Sequence, residues 1–411
     1  MTKQTVTHSP ITHFSVEDNC LVIGGIKLTR LAQRVGKTPF YAYDRKLITD
    51  RVQNLRMLLP PDIRIHYAMK ANPMPAVVQH LSTLVDGIDV ASSGEMKVAL
   101  DTPLPAEHIS MAGPGKRPEE LASAIAAGIT INVESENELT TIVKKSEKLG
   151  CQARIAVRVN PSFELKTSGM KMGGGPKQFG IDEECVPQML DRIKTLDLHF
   201  NGFHIFSGSQ NLKAESIIEA QKKSIDLAIS LSKSCPQPPS LVNIGGGFGI
   251  PYFPGDKCLD VGQIGTELAK YLPTFYSAFP DGELALELGR YLVGEAGIYV
   301  TKVIDRKESR GRVFLIADGG LHHHLAASGN FGQIIRKNYP VDIGNKLLSK
   351  ETEICNIVGP LCTPLDIIAD KMEMAKAEVG DLVVVFQSGA YGLTASPTSF
   401  LTQPQATEIL I

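Results

Sequence analysis

Cysteine is sparse in this chain and badly spaced for cross-linking or metal binding. Its seven thiols, Cys20, Cys151, Cys185, Cys235, Cys258, Cys355 and Cys362, are odd in number and form no CxxC pair. That argues against a disulfide framework or a zinc site, and fits thiols in a reducing compartment. Charge of one sign is also missing: the net charge is −2, charged residues are 21%, and no long acidic or basic run occurs. The chain therefore lacks the overall electrostatic footprint of a nucleic-acid or anionic-membrane binder. No stretch approaches the ~20 apolar residues that span a bilayer. The opening Met-Thr-Lys-Gln-Thr-Val has no charged-then-apolar signal pattern, so the expectation is a cytoplasmic protein with no membrane partner.

What is present is a recurring alternation. At 411 residues the chain suits two domains, or one barrel plus a smaller module. Short β-branched runs followed by small turns and helically spaced segments recur between Arg45 and Val293. The strand candidates are Ile63–Met69, Gly87–Ala91, His108–Ala112, Ile129–Val133, Ala153–Val159, Asn201–Phe206, Ser240–Ile244 and Leu284–Leu288. Eight such units in about 250 residues predict a parallel (β/α)8 barrel with its site at the C-terminal strand ends. A doubly wound open sheet is the second reading. After Val293 the pattern turns strand-like, at Gly297–Arg306, Arg312–Asp318, Ile354–Gly359 and Asp381–Gln387. The expected organisation is an N-terminal segment 1–43 joining the β domain, a barrel over 44–292, and a C-terminal β domain over 293–411. Thr29 and Asp44 are expected to cap helices Thr29–Val35 and Arg45–Leu58.

The chemistry-bearing residues fall at the strand ends. In Arg64-Ile-His66-Tyr-Ala-Met-Lys70, the large apolar residues alternate from Ile63 to Met69, leaving His66, Ala68 and Lys70 on the other face. A lysine there reaches water, pairs with an anion, or loses its charge as a Schiff base. Asp89 lies on strand two, Arg158 on strand five, and His204 and Phe206 share a face of strand six before Ser207-Gly208-Ser209. Strand seven runs into Gly245-Gly246-Gly247-Phe-Gly249 and strand eight into Glu287-Leu-Gly289-Arg290. Glycine turns after a strand offer bare N–H groups to an anion, so this corner, with Arg290, reads as a phosphate site. Glu287 reads equally as a buried ion-pair partner of Arg290 or Arg158 and as a catalytic carboxylate. Phosphate corner, aldehyde-accepting lysine and inward carboxylate together describe a pyridoxal 5′-phosphate pocket.

Tyr67-Ala-Met-Lys70-Ala-Asn72, Asp89-Val-Ala-Ser, Arg158-Val-Asn-Pro161, Gly245-Gly-Gly-Phe, Glu287-x-Gly-Arg290, Gly359-Pro-Leu-Cys362 and Gly389-Ala-Tyr391-Gly392 follow one another through nearly the whole chain. In these motifs the sequence resembles the fold-type III pyridoxal phosphate decarboxylases, which include diaminopimelate, ornithine and biosynthetic arginine decarboxylases. The resemblance implies an alanine-racemase-like (β/α)8 barrel plus a C-terminal mostly-β domain, in a homodimer with shared active sites. It implies Lys70 as the cofactor's Schiff-base lysine, Ser209, Gly247, Arg290 and Tyr391 on the phosphate, and Glu287 at the pyridine nitrogen. Cys362 would enter from the partner subunit as the proton donor. Its other reading is a buried, inert thiol.

Two positions depart from that family. Where its members carry a histidine against the ring, this chain has Phe206, with His204 two residues upstream. His204 either supplies the missing function or is a satisfied inner-barrel histidine. Where an acid often follows the interface cysteine, this chain has Thr363, then Pro364-Leu365-Asp366. That removes the obvious partner for a distal ammonium, unless Asp366 substitutes from a shifted loop.

Met170–Gly180, Gly208-Ser-Gln-Asn-Leu212, Asp318-Gly-Gly-Leu-His-His-His324 and Tyr391-Gly-Leu-Thr-Ala-Ser-Pro397 are similar to a narrower subgroup. It contains the butirosin-pathway L-glutamyl-[acyl-carrier protein] decarboxylase and exosortase-associated decarboxylases. The resemblance implies decarboxylation of a glutamate-like amino acid tethered to an acyl carrier protein. A free diamino acid as substrate, an amino acid racemase and a pyridoxal phosphate carrier protein are the alternatives. Glu287 argues against the racemase, and the extra β module against the carrier. Three adjacent histidines, His322–His324, cannot all face one metal in an extended chain, so no metal site is expected. Gly173–Gly175 between Lys171 and Lys177 reads as a mobile loop, or as a cover for the pocket or a contact for a phosphopantetheine arm.

Overall fold

In the computed structural model, which describes residues 9–166, 169–171, 173–333 and 336–411, eight parallel strands close on themselves. They are β1 (Ile63–Ala68), β2 (Gly87–Val90), β3 (Ile109–Met111), β4 (Thr130–Val133), β5 (Arg154–Asn160), β6 (His199–Ile205), β7 (Leu241–Gly246) and β8 (Glu283–Leu288). Each pairs in parallel with the next, and β8 returns to β1 in the register Leu284↔Ile63 through Leu288↔Tyr67. The open-sheet alternative is thereby excluded. Helices Pro75–Leu81, Ser93–Leu100, Pro118–Ala127, Glu136–Leu149, Val186–Ile193, Ala214–Ser232 and Val261–Ala278 connect the strands. The barrel belongs to a compact unit formed by Thr49–Ile250 and Cys258–Leu292.

Local chemistry explains where these helices begin. Ser92 Oγ accepts the Glu95 N–H at 3.2 Å, while Glu95 Oε2 accepts the Ala91 N–H at 2.7 Å. Ser135 and Glu138 repeat the arrangement, with Glu138 Oε2 taking the Glu134 N–H at 2.7 Å. Each pair satisfies two amides at the helix start that have no partner within the helix. Asp44 Oδ1 likewise accepts the Leu47 N–H at 3.1 Å at the start of Arg45–Leu58. Thr29 does not cap its helix, which begins earlier, at Leu28, with Lys27 at the cap position and no side-chain cap bond.

The second unit comprises Met1–Ile48, Pro251–Lys257 and Val293–Ile411. It is built on a mixed sheet ordered Val341–Ile343, Leu382–Val385, Gly297–Ser309, Arg312–Ala317, Thr352–Val358 and Ile367–Ala375. Phe40–Tyr43 adds antiparallel to Gly297–Ser309 and carries Thr407–Leu410 in parallel beyond it. Leu21, Ile23, Leu28, Leu31, Phe40, Ile298, Val300 and Val384 pack in one apolar cluster under this sheet. Burial of such side chains stabilises a fold by about 1.5–3 kcal/mol each. Among the described residues, no helix is long and apolar enough to cross a membrane.

Candidate active site

Barrel interiors are normally filled by branched apolar residues, but all eight strands of this one contribute a buried polar side chain. They are His66, Asp89, Ser110, Asn132, Arg158, His204, Asn243 and Glu287. Hydrogen bonds join some of them into runs. Asn132 Nδ2 donates to Ser110 Oγ at 3.0 Å, Ser110 Oγ donates to Asp89 Oδ1, and His66 Nδ1 lies 3.5 Å from Asp89. Burial opposes the charged form of His66, but the Asp89 carboxylate outweighs it and raises the imidazole pKa.

The second run centres on Glu287. His204 Nε2 lies 2.8 Å from Glu287 Oε2, and Lys70 Nζ 3.8 Å from Oε1. Burial pushes the carboxyl pKa up, but the His204 hydrogen bond and the Lys70, His204 and Arg158 charges hold it below the usual carboxylate range. The structure thus gives His204 a partner, whereas Asp89 Oδ2 and His204 Nδ1 are buried with no hydrogen-bond partner.

Lys70 is not on the inner face of the strand, as the alternation predicted. β1 ends at Ala68, and Met69–Ala71 forms a 3-10 turn closed by the Asn72 N–H to Met69 O bond of 3.0 Å. Tyr67 Oη donates to Asn72 O at 2.8 Å and fastens that turn. The turn lifts the amine to the barrel mouth, 5.2 Å from the centroid of the Phe206 ring. Phe206 follows β6 and is buried.

The glycine corner is shaped by what surrounds it. Gly247 has φ +77°, and a Cβ there would stand 2.7 Å from Gly208 O; one on Gly246 would stand 2.3 Å from Glu287 O. Only glycine fits such approaches. Asn243 Oδ1 takes the Gly245 N–H at 2.9 Å, and Ser209 stands beside this turn in the pair Gly208–Ser209. Gly289 and Arg290 close β8, with Arg290 opening the short helix Arg290–Val293.

The Gly173–Gly175 tract is hydrogen-bonded to its surroundings. Gly173 N–H bonds Ser207 O at 3.2 Å, Gly174 N–H bonds Pro161 O at 3.0 Å, and Asn160 Nδ2 donates to Gly175 O at 3.1 Å. Met172 of the motif Met170–Gly180 lies outside the described residues.

The remaining predicted site residues belong to the second unit. Cys362 is an exposed free thiol. Thr363 Oγ1 accepts the Leu365 N–H at 3.3 Å, and Tyr391 has φ +54°. Asp366 is 2% exposed, and its two oxygens accept the Leu321 N–H at 2.6 Å and the Leu361 N–H at 2.9 Å. Each carboxylate oxygen is thus engaged by one backbone amide. His322–His324 are all buried. His323 Nε2 meets Pro404 O at 2.8 Å and His324 Nε2 meets Ser388 Oγ at 2.9 Å. Among the described residues, no group of three or more His, Cys, Asp or Glu side chains is placed to hold a metal.

Arg158 Nη1 donates to Glu134 Oε1 at 2.8 Å, so its first partner is an acid that sequence reasoning passed over. His66, Ser110 and Asn132 were also missed as site residues. Their signal was a polar residue followed by an apolar one at corresponding positions of successive strands, as in Asp89-Val, Ser110-Met and Asn132-Val.

Residues 45–294 match the family model described as pyridoxal-dependent decarboxylase, pyridoxal binding domain. The chain is 40% identical over 394 residues to L-glutamyl-[BtrI acyl-carrier protein] decarboxylase of Niallia circulans, covering 93% of this chain and 91% of that one. It is 34% identical over 402 residues to diaminopimelate decarboxylase of Aquifex aeolicus, covering 97% and 92%. The crystal structure of diaminopimelate decarboxylase from M. jannaschii with L-lysine matches with a TM-score of 0.87 at 26% identity, covering 97% and 92%. On its sequence and its barrel alike, the chain belongs to the fold-type III pyridoxal-dependent decarboxylases.

Proposed function

We propose that this protein uses pyridoxal 5′-phosphate to decarboxylate an amino acid carried as a thioester on an acyl carrier protein, with a glutamate-like acyl group as the first candidate. The observation that carries the substrate reading is the state of Asp366. With Thr363 after Cys362 and Asp366 bound to two backbone amides, the stretch from Cys362 to Asp366 offers no carboxylate for a distal ammonium. The 40% identical relative, named for a carrier-bound glutamyl substrate, supports the same reading.

The residues of the barrel mouth fit the cofactor. The glycine turn Gly245–Gly247, free of side chains and followed one strand on by Arg290, suits a phosphate held by backbone N–H groups, Ser209 and Arg290. Lys70 would hold the aldehyde carbon, and Phe206 would offer its face to the ring. When bound, pyridoxal 5′-phosphate would supply an electron sink for the bond that releases CO2. Glu287, whose pKa is held down by His204 and Lys70, would keep a proton at the ring nitrogen. Asp89, tied to Ser110 and His66, fixes the floor beneath Lys70. In a homodimer with shared sites, Tyr391 would add to the phosphate grip, and the Cys362 thiol of the second copy would be the proton donor.

The test is CO2 release from free amino acids beside carrier-protein thioesters of the same acids. Release from the glutamyl thioester above that from free glutamate or diamino acids is expected. Activity on free diamino acids alone would overturn the tethered-substrate reading.

A further inference from the structure

A second charged cluster lies at the barrel mouth, outside the roles assigned above. Glu134 directly follows β4 and is buried. Its Oε1 accepts from Arg158 Nη1 at 2.8 Å and from the Gly113 N–H at 2.6 Å, and its Oε2 accepts the Gly180 N–H at 3.0 Å. Lys116, with a side chain 1% exposed, stands 3.8 Å from Glu134 Oε1 and 2.8 Å from Glu138 Oε1. Lys116 Nζ also donates to Gly113 O at 2.6 Å. Two acids and two cations thus close an electrically balanced, buried group that ties the segments after β3, β4 and β5 together.

The members of this group have different reach. Glu138 touches Lys116 and the Glu134 backbone, while Glu134 holds the Arg158 guanidinium. Arg158 is in register with His204 on the neighbouring strand, and His204 holds Glu287. Arg158 also lies over the Phe179 ring at 4.9 Å. A buried guanidinium that loses its carboxylate seeks another. Glu287 is the buried carboxylate that His204 holds.

We propose that Glu134 is a positioning residue for the decarboxylation, retaining Arg158 at the mouth so that the guanidinium does not pair with Glu287 and displace the cofactor's ring nitrogen. The inference rests on the pyridoxal reading of the barrel mouth. It assigns the cluster a task beyond holding loops: it sets how much positive charge Glu287 meets.

The experiment compares Glu134→Gln, Glu138→Gln and the double variant Glu134→Gln/Arg158→Gln with the wild type. Glutamine at 134 keeps an acceptor for one of the Gly113 and Gly180 amides but cannot neutralise Arg158. Glu134→Gln is expected to weaken pyridoxal 5′-phosphate binding to the apoprotein by about tenfold or more and to shift the pH titration of the cofactor's visible band. The fall in kcat should exceed the change in KM. Glu138→Gln should lower the thermal midpoint of the apoprotein yet leave affinity and band within about twofold, because Arg158 keeps its partner. The double variant should recover affinity relative to Glu134→Gln, the sign of direct coupling. If the single variant fails to fold, the double variant carries the test: affinity within about threefold of the wild type supports the role, and a roughly tenfold or larger loss overturns it. Equal effects of Glu134→Gln and Glu138→Gln, or a double variant that binds no better than the single one, would overturn the positioning role. A wild type that binds no pyridoxal 5′-phosphate would instead overturn the reading on which it rests.

Discussion

His204 Nε2 and Glu287 Oε2 stand 2.8 Å apart inside the barrel, both buried, so that a carboxylate at the floor of the site is held by a histidine from two strands away. Truncating one member of a buried pair leaves the other uncompensated, at a cost of about 3–5 kcal/mol. His204→Ala is accordingly expected to lower the unfolding midpoint and reduce CO2 release by about a hundredfold. His204→Gln, which keeps an N–H donor, should recover part of both. Chemical denaturation and CO2 release on the two variants check this, and equal losses would remove the hydrogen bond from the explanation.

Phe206 offers a face to the cofactor without a titratable group. Phe206→Ala should weaken pyridoxal 5′-phosphate binding roughly tenfold, the scale of a lost aromatic contact. Phe206→His should preserve binding and add a pH dependence to the visible band near the imidazole range. Absorbance titration reads both, and a Phe206→Ala protein with wild-type affinity would exclude ring contact.

Asp366 tests whether a buried acid reads substrate or holds loops. Its removal leaves the Leu321 and Leu361 amides without their acceptor. Asp366→Ala should therefore cost about 2–4 kcal/mol of stability while the ranking of substrates stays unchanged. A switch in preference between free diamino acids and carrier thioesters would contradict the staple assignment.

Burial lowers the pKa of His323 to about 4 and of His324 to about 3, from 6.5. Between those values and 6.5 the unfolded chain binds protons that the folded one refuses. Stability is therefore fully present above pH 6.5 and falls on acidification, with a slope approaching about 1.4 kcal/mol per pH unit for each imidazole. His324→Gln should flatten this fall between pH 6 and about 4 in urea titrations. An unchanged slope would show that His324 is not buried neutral.

Much of the barrel was legible because its outward faces alternate strictly and its turns are small, as at Gly87–Val90 and Leu284–Leu288. Helices such as Pro118–Ala127 declared themselves through proline at the start and glycine after the end. The Lys70 turn did not, because Met69 continues the apolar alternation while the chain turns there, fastened by a hydrogen bond from Tyr67 to Asn72 O, five residues on. Strand Ile367–Ala375 escaped because Asp370, Lys371 and Glu373 break its apolar run, although its partner Thr352–Val358 makes the pairing possible. The site was legible wherever one residue type carries one chemistry, as with Lys70, Gly245–Gly247 and Glu287. Glu134 was not, since its meaning comes from Arg158, Lys116 and Gly180, which only folding brings to it. The hydrogen bonds of Asp366 were not legible either, since its two amide donors come from separate loops.

The central claim is that Lys70 carries pyridoxal 5′-phosphate at the mouth of this barrel. Borohydride reduction of the holoprotein followed by peptide mapping tests it most directly. The predicted result is a pyridoxyl mass on the peptide containing Lys70, with no such mass and no visible band in Lys70→Ala. A label on a different lysine, or an unaltered band in Lys70→Ala, would contradict it.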